Sequence, residues 1–347
     1  ERVLHYGMIP RANRSIFVLN ELPDLQARIQ VSLFNILQEG DIQIRGFQLR
    51  MPLDIQFVFT ANPEDYTNRG SIVTPLKDRI GSQIFTHYPK SIALAREITA
   101  QEARISKEDQ ASIVIPDLAK DLLEQVAFTA RKSEYVDAKS GVSARLTISA
   151  MENLMAAAKL RLIETAAEKT TVRLVDFMSI IPSITGKIEL VYEGEQEGPY
   201  EVALNLLNKS IRTQFIEYFP NPELLKKKKM INKKGEEKAL DNPYKALTSW
   251  FDGGNHLNLM LDMKDADKVV ALYKVDGLFG LVKKYYPHAN EKESALLMEF
   301  VLHGLAAFSL INKKMIDGKI EFNDLMSSMM NLGSFGEEDD YNESDYQ

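Results

Sequence analysis

The sequence contains no cysteine, and no apolar run approaches the roughly 20 residues that a membrane-spanning helix needs. The lack of cysteine excludes disulfide bonds and thiolate metal sites, and it is typical of a reducing compartment. We therefore expect a cytoplasmic protein with no membrane partner. The five histidines are scattered, without the H-E-x-x-H spacing of a metal-binding helix, so the sequence indicates no histidine metal site.

Positive charge is missing from the C-terminal end. The acidic tail, residues 334–347, holds "EEDDYNESDYQ" with six acidic residues and no basic one, and we expect it to be disordered. The net charge of the whole chain is −7, so the remaining residues are nearly neutral. Because the chain without its tail has almost no net charge, its charge does not favour binding to nucleic acid, and we do not expect a nucleic-acid partner. The lysine-rich stretch 224–238 is interpreted as a solvated, mobile loop.

The first ninety residues have the pattern of an α/β layer. Continuous apolar runs predict buried parallel strands at 16–19 and 55–62, and a third strand at 82–89. Apolar residues at helical spacing predict one helix between an Asp24 N-cap and a Gly40 C-terminal stop. Alternating apolar and polar residues on both sides of Arg45-Gly46, in "DIQIRGFQLRMP", predict a small hairpin.

From Ser91 onward the sequence is mainly helical. We expect a helical subdomain over 91–190, a charged boundary within 186–202, and a further helical region over 191–333. The methionine-rich stretch 324–333 is interpreted as helix packing rather than as a cofactor site.

Four motifs carry the candidate chemistry, and their order is more specific than any one of them. The first strand ends in Asn20-Glu21, and about forty residues later the second ends in "TANPED". "TPLKDRIG" follows at 74–81, and "SGVSARLTI" at 140–148 opens a helix. This order resembles the AAA+ ATPases. The phrases "GMIPRANRSIFVLNE", "LFNILQEGDIQIRG" and "TGKIELVYEGEQEG" are similar to the clade of magnesium chelatase I-subunit-like and MoxR-type proteins.

The resemblance covers about residues 1–215 and implies a fold and an activity. The fold would be part of a P-loop (AAA+) parallel-sheet ATPase layer over 1–90, followed by an α-helical lid over 91–190 and an α-helical C-terminal region over 191–333. The implied activity is remodelling of a partner protein by a ring, expected to be a hexamer, that uses ATP and Mg2+. The implied partner carries a von Willebrand factor A domain.

By the same resemblance, Glu21 activates the attacking water and Asn20 takes the position on the metal side, where the family has Asp. An amide oxygen accepts a hydrogen bond from metal-bound water but adds no charge, so we expect weaker Mg2+ binding. Without the family context, Asn20-Glu21 is only a strand end followed by a turn at Leu22-Pro23.

The remaining residues of the site follow from the same motifs. Asn62 matches the first sensor, Arg79 the arginine finger that contacts a neighbouring subunit, and Arg145 the second sensor; Arg69 is a second candidate for the intersubunit contact. A guanidinium suits phosphate because it is planar, charged and bidentate. The alternatives are a turn residue for Asn62, an Arg79 paired with Asp78 or another acid, and an Arg145 on a solvated helix face. Ser143 is a candidate cap of the Arg145 helix.

No phosphate-binding loop of the form G-x-x-x-x-G-K-[ST] occurs in the sequence. The Gly-Lys pairs in "TGKIEL" and "DGKIEF" have neither the upstream glycine nor the following Ser or Thr. In the family this loop precedes the Glu21 strand, and the first residue here is Glu rather than Met. We therefore expect an N-terminally truncated chain, and we predict that it alone neither binds ATP tightly nor hydrolyses it.

Several hypotheses stay open beside the remodelling ATPase. The chain is alternatively a genuine magnesium chelatase ATPase subunit, a non-hydrolysing AAA+ scaffold, or a DNA-associated ring ATPase, which the near-neutral body disfavours. Enhancer-binding transcription activators share "LQEG", but their GAFTGA loop is absent from this sequence.

Overall fold

The computed structural model describes residues 5–44, 49–62, 71–227, 230–231, 237–238, 242–316 and 318–325. The chain divides into two compact units, 1–87 and 88–347. The predicted hairpin turn at Arg45-Gly46, the acidic tail, most of the methionine-rich stretch, and residues 228–229 and 232–236 of the lysine-rich stretch lie outside the described residues.

The first unit has strands and short helices in the predicted order. Its described elements are α1 (Met8–Arg11), β1 (Ser15–Leu19), a 3-10 turn (Leu22–Asp24), α2 (Ala27–Ser32), α3 (Phe34–Glu39), β2 (Asp41–Ile44), β3 (Leu49–Pro52), β4 (Ile55–Phe59) and α4 (Thr74–Lys77). β1 and β4 form a parallel pair with Ser15 opposite Ile55 and Leu19 opposite Phe59. β2 and β3 form the predicted antiparallel hairpin.

The prediction that β1 and β4 are buried strands is wrong, because no residue of either is fully buried. Ile16 and Val18 on one face of β1 are 67% and 53% exposed, and Val58 on the same face of β4 is 41% exposed. Side chains alternate between the two faces of a strand, and only the opposite face meets the small core of this unit. That core is built on the buried residues Leu22, Leu33 and Leu76, against which Leu19 and Phe59 pack.

The single helix predicted between Asp24 and Gly40 is broken in the structure. Gln26, not Asp24, is the N-cap residue of α2. The helix is interrupted at Leu33, after which α3 begins. Gln30, Leu33 and Ile36 are all buried. In one straight helix with 3.6 residues per turn, side chains three residues apart point in progressively different directions. The interruption at Leu33 allows Gln30, Leu33 and Ile36 all to face the core. Gly40 ends α3 at φ 64°, as predicted.

The third strand predicted at 82–89 is absent. Residues 81–89 have no regular secondary structure, and Ile84 and Phe85 are 89% and 77% exposed. An apolar, β-branched run forms a strand only when a neighbouring strand pairs with its backbone, and none does so among the described residues.

The second unit is predominantly helical, as predicted. Its longer helices are α5 (Ile92–Glu102), α7 (Asp117–Ala130), α8 (Arg145–Glu164), α11 (Pro199–Tyr218), α13 (Lys245–Asp252), α14 (Asp265–Tyr273), α15 (Leu278–Tyr285) and α16 (Glu291–Ala307). Shorter segments are α6 (Lys107–Ser112), α9 (Ile181–Thr185), α10 (Tyr192–Glu197), α12 (Pro222–Lys227) and a 3-10 turn (Val175–Ile180).

Short strands complete this unit. They are β5 (Ile113–Val114), β6 (Thr170–Thr171), β7 (Met230–Ile231), β8 (Glu237–Lys238), β9 (Leu257–Met260), β10 (Asn312–Ile316) and β11 (Lys319–Asn323). β9, β10 and β11 form an antiparallel sheet in the order β10-β11-β9.

One continuous apolar core runs through the second unit. It joins the inner faces of α7, α8, α11 and α16, and the chain's tryptophan, Trp250 on α13, packs against it. α11 and α16 approach closely at Gly304, where a Cβ atom would collide with the ring of Phe215. This spread of buried residues contrasts with the small core of the first unit.

Candidate functional site

The candidate site lies at the carboxyl ends of β1 and β4. Asn20 and Glu21 follow β1, while Thr60 and Asn62 follow β4. The two strands are parallel and their last residues, Leu19 and Phe59, are paired. Their carboxyl ends therefore meet at one edge, which is where ligands bind in open α/β sheets. The structure brings Asn20, Glu21 and Asn62 to this edge, and all three are exposed.

Thr60 joins the two strand ends, and the sequence analysis missed it. Its N–H donates to Leu19 O at 3.0 Å, and its carbonyl accepts from Leu22 N at 2.9 Å. Its hydroxyl oxygen accepts from Glu21 N at 3.0 Å, and the hydroxyl donates to Asn20 Oδ1 at 3.3 Å. The signal in the sequence was a hydroxyl residue directly after a five-residue apolar strand.

Glu21 has left-handed backbone geometry, with φ 52° and ψ 56°. For a residue with a Cβ this conformation costs about 1–2 kcal/mol, and it persists only where neighbouring contacts hold it. Buried Leu22 and Pro23 hold the following turn, while Thr60 holds the Glu21 N–H. Among the described residues the Glu21 carboxylate has no hydrogen-bond or ion-pair partner, so it is available to a water molecule or a ligand.

The donor set at this edge is poor for a divalent cation. Asn20 offers a neutral amide oxygen that already accepts from Thr60, and Glu21 offers the one carboxylate of the pair. Among the residues described, no group of three or more His, Cys, Asp or Glu side chains is placed to hold a metal ion. Mg2+ bound through one or two protein oxygens needs substrate phosphates and water as further ligands. Within the described residues, these oxygens fit a metal that arrives with a nucleotide.

Arg79 lies just after α4 and is held within its own unit. Its Nε and Nη2 donate to Gln38 Oε1 at 3.1 and 2.6 Å, and Nη1 donates to Pro75 O at 2.6 Å. The guanidinium carbon lies 5.0 Å from the centre of the Phe34 ring. The predicted alternative of a pair with Asp78 is wrong, because a neutral amide and a carbonyl accept from this guanidinium. These contacts fix the direction of the side chain and, among the described residues, leave two of its five N–H donors without an acceptor.

Arg145 belongs to the second unit, where it is the first residue of α8 and exposed. Ala144 is the N-cap residue, so the prediction that Ser143 caps this helix is wrong in detail. Ser143 Oγ does accept from Arg145 N at 3.1 Å. Arg69, the second candidate for an intersubunit contact, lies outside the described residues.

The loop before Arg145 is clamped by two side chains. The Tyr88 hydroxyl accepts from Val142 N at 3.0 Å, and Arg131 donates to Val142 O at 3.4 Å. The Arg131 guanidinium lies 4.1 Å from the centre of the Tyr88 ring. Tyr88 is the first residue of the second unit, so the connection from the first unit ends on the loop that presents Arg145.

A buried carboxyl group supports the head of α8. Glu124 on α7 is 2% exposed, and burial raises its pKa, although contacts with Thr99 and Thr147 oppose that rise. The two threonine hydroxyls are 2.9 Å apart. Thr147 is in the first turn of α8, so this polar cluster ties the helix that carries Arg145 to α5 and α7.

Comparisons with known proteins give one match to a family model. Residues 2–81 match the Sigma-54 interaction domain, an AAA+ ATPase domain. No curated protein sequence matches this chain.

Among solved structures, a candidate ATPase from Cytophaga hutchinsonii ATCC 33406 is 19% identical, with 56% of this chain and 65% of that chain covered. Its TM-score is 0.24, too low to carry an argument about fold or function. This chain thus spans less than two thirds of that structure. No helix among the described residues is both long and apolar enough to cross a membrane. The mixed α/β first unit with its parallel strand pair, followed by a helical region, is consistent with the AAA+ fold, and over residues 2–81 the chain is similar to an AAA+ ATPase domain.

Proposed function

We propose that the first unit is the water-activating part of an ATP-hydrolysing AAA+ ring enzyme of the MoxR or magnesium chelatase I-subunit type. The observation that carries this proposal is Glu21, a carboxylate without a partner among the described residues, at the shared end of two parallel strands. Its strained backbone is fixed by Thr60. A strand that simply ends in a turn needs no such strain, and strained residues cluster where function requires them.

In the proposed reaction, bound ATP with Mg2+ supplies the phosphoryl group and the cation that neutralises its charge. Glu21 accepts a proton from the attacking water, and the Asn62 amide orients that water by a hydrogen bond. When Mg2+ is bound, the second lone pair of Asn20 Oδ1 would accept a hydrogen bond from a metal-bound water while the first keeps the Thr60 hydroxyl. Each step uses a side chain that is exposed at the edge of the sheet.

The proposal assigns the positive charge to arginines from two subunits. Arg79, aimed by Gln38 and Pro75, contacts the phosphates in the neighbouring subunit's site, and Arg145 contacts the nucleotide from the lid. Arg69 is a second intersubunit candidate. The assembly is a ring, proposed as a hexamer, and the client carries a von Willebrand factor A domain. A phosphate loop is still required, because none of the 347 residues forms that motif.

A non-hydrolysing scaffold is the second candidate. One observation favours it: Asn20 brings no negative charge, and its amide oxygen already accepts the Thr60 hydroxyl hydrogen bond. Such a protein would keep the AAA+ shape and bind partners without turnover.

The deciding experiment uses the natural reading frame that contains this sequence. In an assay of ATP turnover, the enzyme should need Mg2+, and Glu21→Gln should reduce turnover by at least about 100-fold while nucleotide binding remains. Unchanged turnover in Glu21→Gln would remove Glu21 from the mechanism. Absence of turnover with a competent client would favour the scaffold.

Mixing variants tests the arrangement across subunits. Glu21→Gln subunits keep Arg79, and Arg79→Ala subunits keep Glu21. Alternating them in one ring rebuilds intact sites, so mixing should restore part of the turnover that each variant lacks alone. A mixture as inactive as its components would contradict an Arg79 that acts on its neighbour.

A further inference from the structure

A groove on the second unit is lined by basic and apolar side chains, and the candidate site does not use it. It lies between α7 and α11, has a volume of about 650 Å³, and is also lined by Phe308 and Glu223. α7 and the turn after it contribute Phe128 and Lys132, while α11 contributes Lys209, Arg212 and Ile216.

Cations outnumber carboxylates on the walls of this groove. Lys132, Lys209 and Arg212 face Glu134 and Glu223. Arg212 pairs with Glu223 and lies 4.8 Å from the centre of the Phe308 ring. Lys209 Nζ lies 5.5 Å from the Tyr135 ring centre. Within the described part of the chain, Lys132 and Lys209 form no ion pair, so two exposed ammonium groups are available to an acidic ligand.

The groove also offers apolar contact area. Ile216 is 43% exposed, and half-buried Phe128 lines the same space, as does Phe308, which is 8% exposed. A ligand that fits this groove carries several negative charges with aromatic rings between them. Its carboxylates would contact the lysines, and its rings would bury apolar area on the apolar side chains.

The acidic tail of this chain has that chemistry. It carries six acidic residues and no basic one, with Tyr341 and Tyr346 spaced among them. Among the features singled out in the sequence, this segment has no role in the proposed ATPase site.

The last described strand ends close enough to the groove for the chain that follows it to reach the groove. β11 ends at Asn323, which is paired with Asn312 at the start of β10. Paired residues in an antiparallel ladder are about 5 Å apart, and the four residues from Phe308 to Asn312 span at most about 14 Å. The next strand residue, Lys313, donates to Asn208 on α11 at 3.0 Å, beside Lys209. The twelve residues from 325 to 337 span up to about 40 Å, which exceeds that distance.

We propose that the acidic tail, residues 334–347, docks in the groove between α7 and α11 of its own chain. The tail carboxylates contact Lys132, Lys209 and Arg212, and a tyrosine ring packs on Ile216 and Phe128. A tethered segment has an effective concentration in the millimolar range, so docking in the same chain needs a dissociation constant of only about 100 µM.

The test uses the full-length chain with its six tail acids replaced by Gln or Asn, and a fluorescein-labelled peptide of sequence 334–347. Fluorescence anisotropy at low salt should give saturable binding with a dissociation constant of about 100 µM or below. The natural chain should bind the peptide at least about tenfold more weakly, because its own tail competes. Binding should weaken as salt rises, since the contacts are exposed ion pairs.

Two groove variants in the neutral-tail chain locate the site. Lys209→Gln with Arg212→Gln should weaken peptide binding about tenfold, and Glu134→Gln should strengthen it about two- to threefold by removing a like charge. The matched control, Lys107→Gln with Lys274→Gln, removes two exposed lysines outside the groove and should change affinity less than twofold. The gain in Glu134→Gln cannot arise from misfolding.

Four outcomes overturn the proposal. They are no peptide binding at low salt, equal binding by the natural and neutral-tail chains, groove variants that match the control, and concentration-dependent dimers of the natural chain by sedimentation. The last would show a tail that docks on a second copy. If neutralising Lys226–Lys229 abolishes binding while the groove variants do not, the tail docks on the lysine run instead.

Discussion

Thr60 and Glu21 are joined across two strands by a hydrogen bond of 3.0 Å from the Glu21 N–H to the Thr60 hydroxyl oxygen. This contact holds a carboxylate-bearing residue in left-handed geometry at the end of β1. The same hydroxyl donates to Asn20 Oδ1, so one side chain organises both Asn20 and Glu21.

Thr60→Val should therefore loosen the strand ends without changing the shape of the side chain. We expect a loss of about 1 kcal/mol of local stability, the typical net contribution of one intramolecular hydrogen bond. Hydrogen exchange at the Leu22 and Thr60 amides should quicken about fivefold. Thr86→Val, an exposed change in the same unit, is the control. Equal exchange rates in the two variants would show that the Thr60 hydroxyl does not hold this edge.

Asn20→Asp should strengthen the metal side of the proposed site. A carboxylate adds the negative charge that the amide lacks and still accepts from Thr60. In the intact enzyme, the Mg2+ concentration for half-maximal turnover should fall roughly tenfold, equivalent to about 1.4 kcal/mol. Asn35→Asp on the exposed side of α3 controls for added charge. An unchanged Mg2+ requirement would exclude Asn20 from the metal side.

Gly304→Ala should destabilise the second unit, because its new methyl group would overlap the ring of Phe215. Overpacking of this kind costs about 1–3 kcal/mol. Gly280→Ala is a matched control on α15, since a Cβ there meets nothing within 4 Å. It should stabilise by about 0.5–1 kcal/mol through helix propensity. Urea unfolding of both variants measures the difference, and a Gly304→Ala chain as stable as the parent would contradict this close packing.

His303 should make the second unit sensitive to acid. Within the described residues neither ring nitrogen has a hydrogen-bond partner, and the ring packs edge-on against Phe322. Burial, with a smaller contribution from the charge on Lys313, lowers the pKa of His303 well below 6.5. The unfolded chain then binds a proton below about pH 6.5 that the folded chain does not, so stability falls as the pH falls through that value.

The slope should approach about 1.4 kcal/mol per pH unit below pH 6 and should disappear in His303→Gln. Lys313, whose pKa burial lowers to about 8, affects only more alkaline conditions, because its unfolded form titrates near 10.5. His288→Gln, at an exposed position, is the control. If the pH dependence of urea unfolding is the same in His303→Gln and in the parent chain, His303 does not control it.

The local order of the fold was predictable from the sequence, whereas burial and pairing were not. β1, the β2–β3 hairpin, β4 and the helices after Ser91 follow from apolar spacing and turn residues that act over a few positions. The apolar residues at 16–19 and 82–89 look alike to that analysis. β1 has a strand to pair with and 82–89 has none among the described residues, and that difference lies in tertiary structure.

For the candidate site, the sequence predicted only which residue types occur and in what order along the chain. It did not predict their conformations or their contacts. The roles of Glu21, Asn62, Arg79, Arg145 and Arg69 stay predictions. The left-handed conformation of Glu21 and the linking role of Thr60 depend on contacts across forty residues. Gln38 as the acceptor for Arg79 likewise joins positions that are distant in sequence, so local spacing gave no sign of it.

The separate cores have a practical consequence for spectroscopy. Trp250, the chain's one tryptophan, packs on the core of the second unit, while Asn20, Glu21, Asn62 and Arg79 all belong to the first. Intrinsic tryptophan emission therefore reports melting of the helical unit, and a chain whose candidate site has unfolded can still give a native signal. A tryptophan introduced at Phe57, on the half-buried face of β4, would supply the missing reporter.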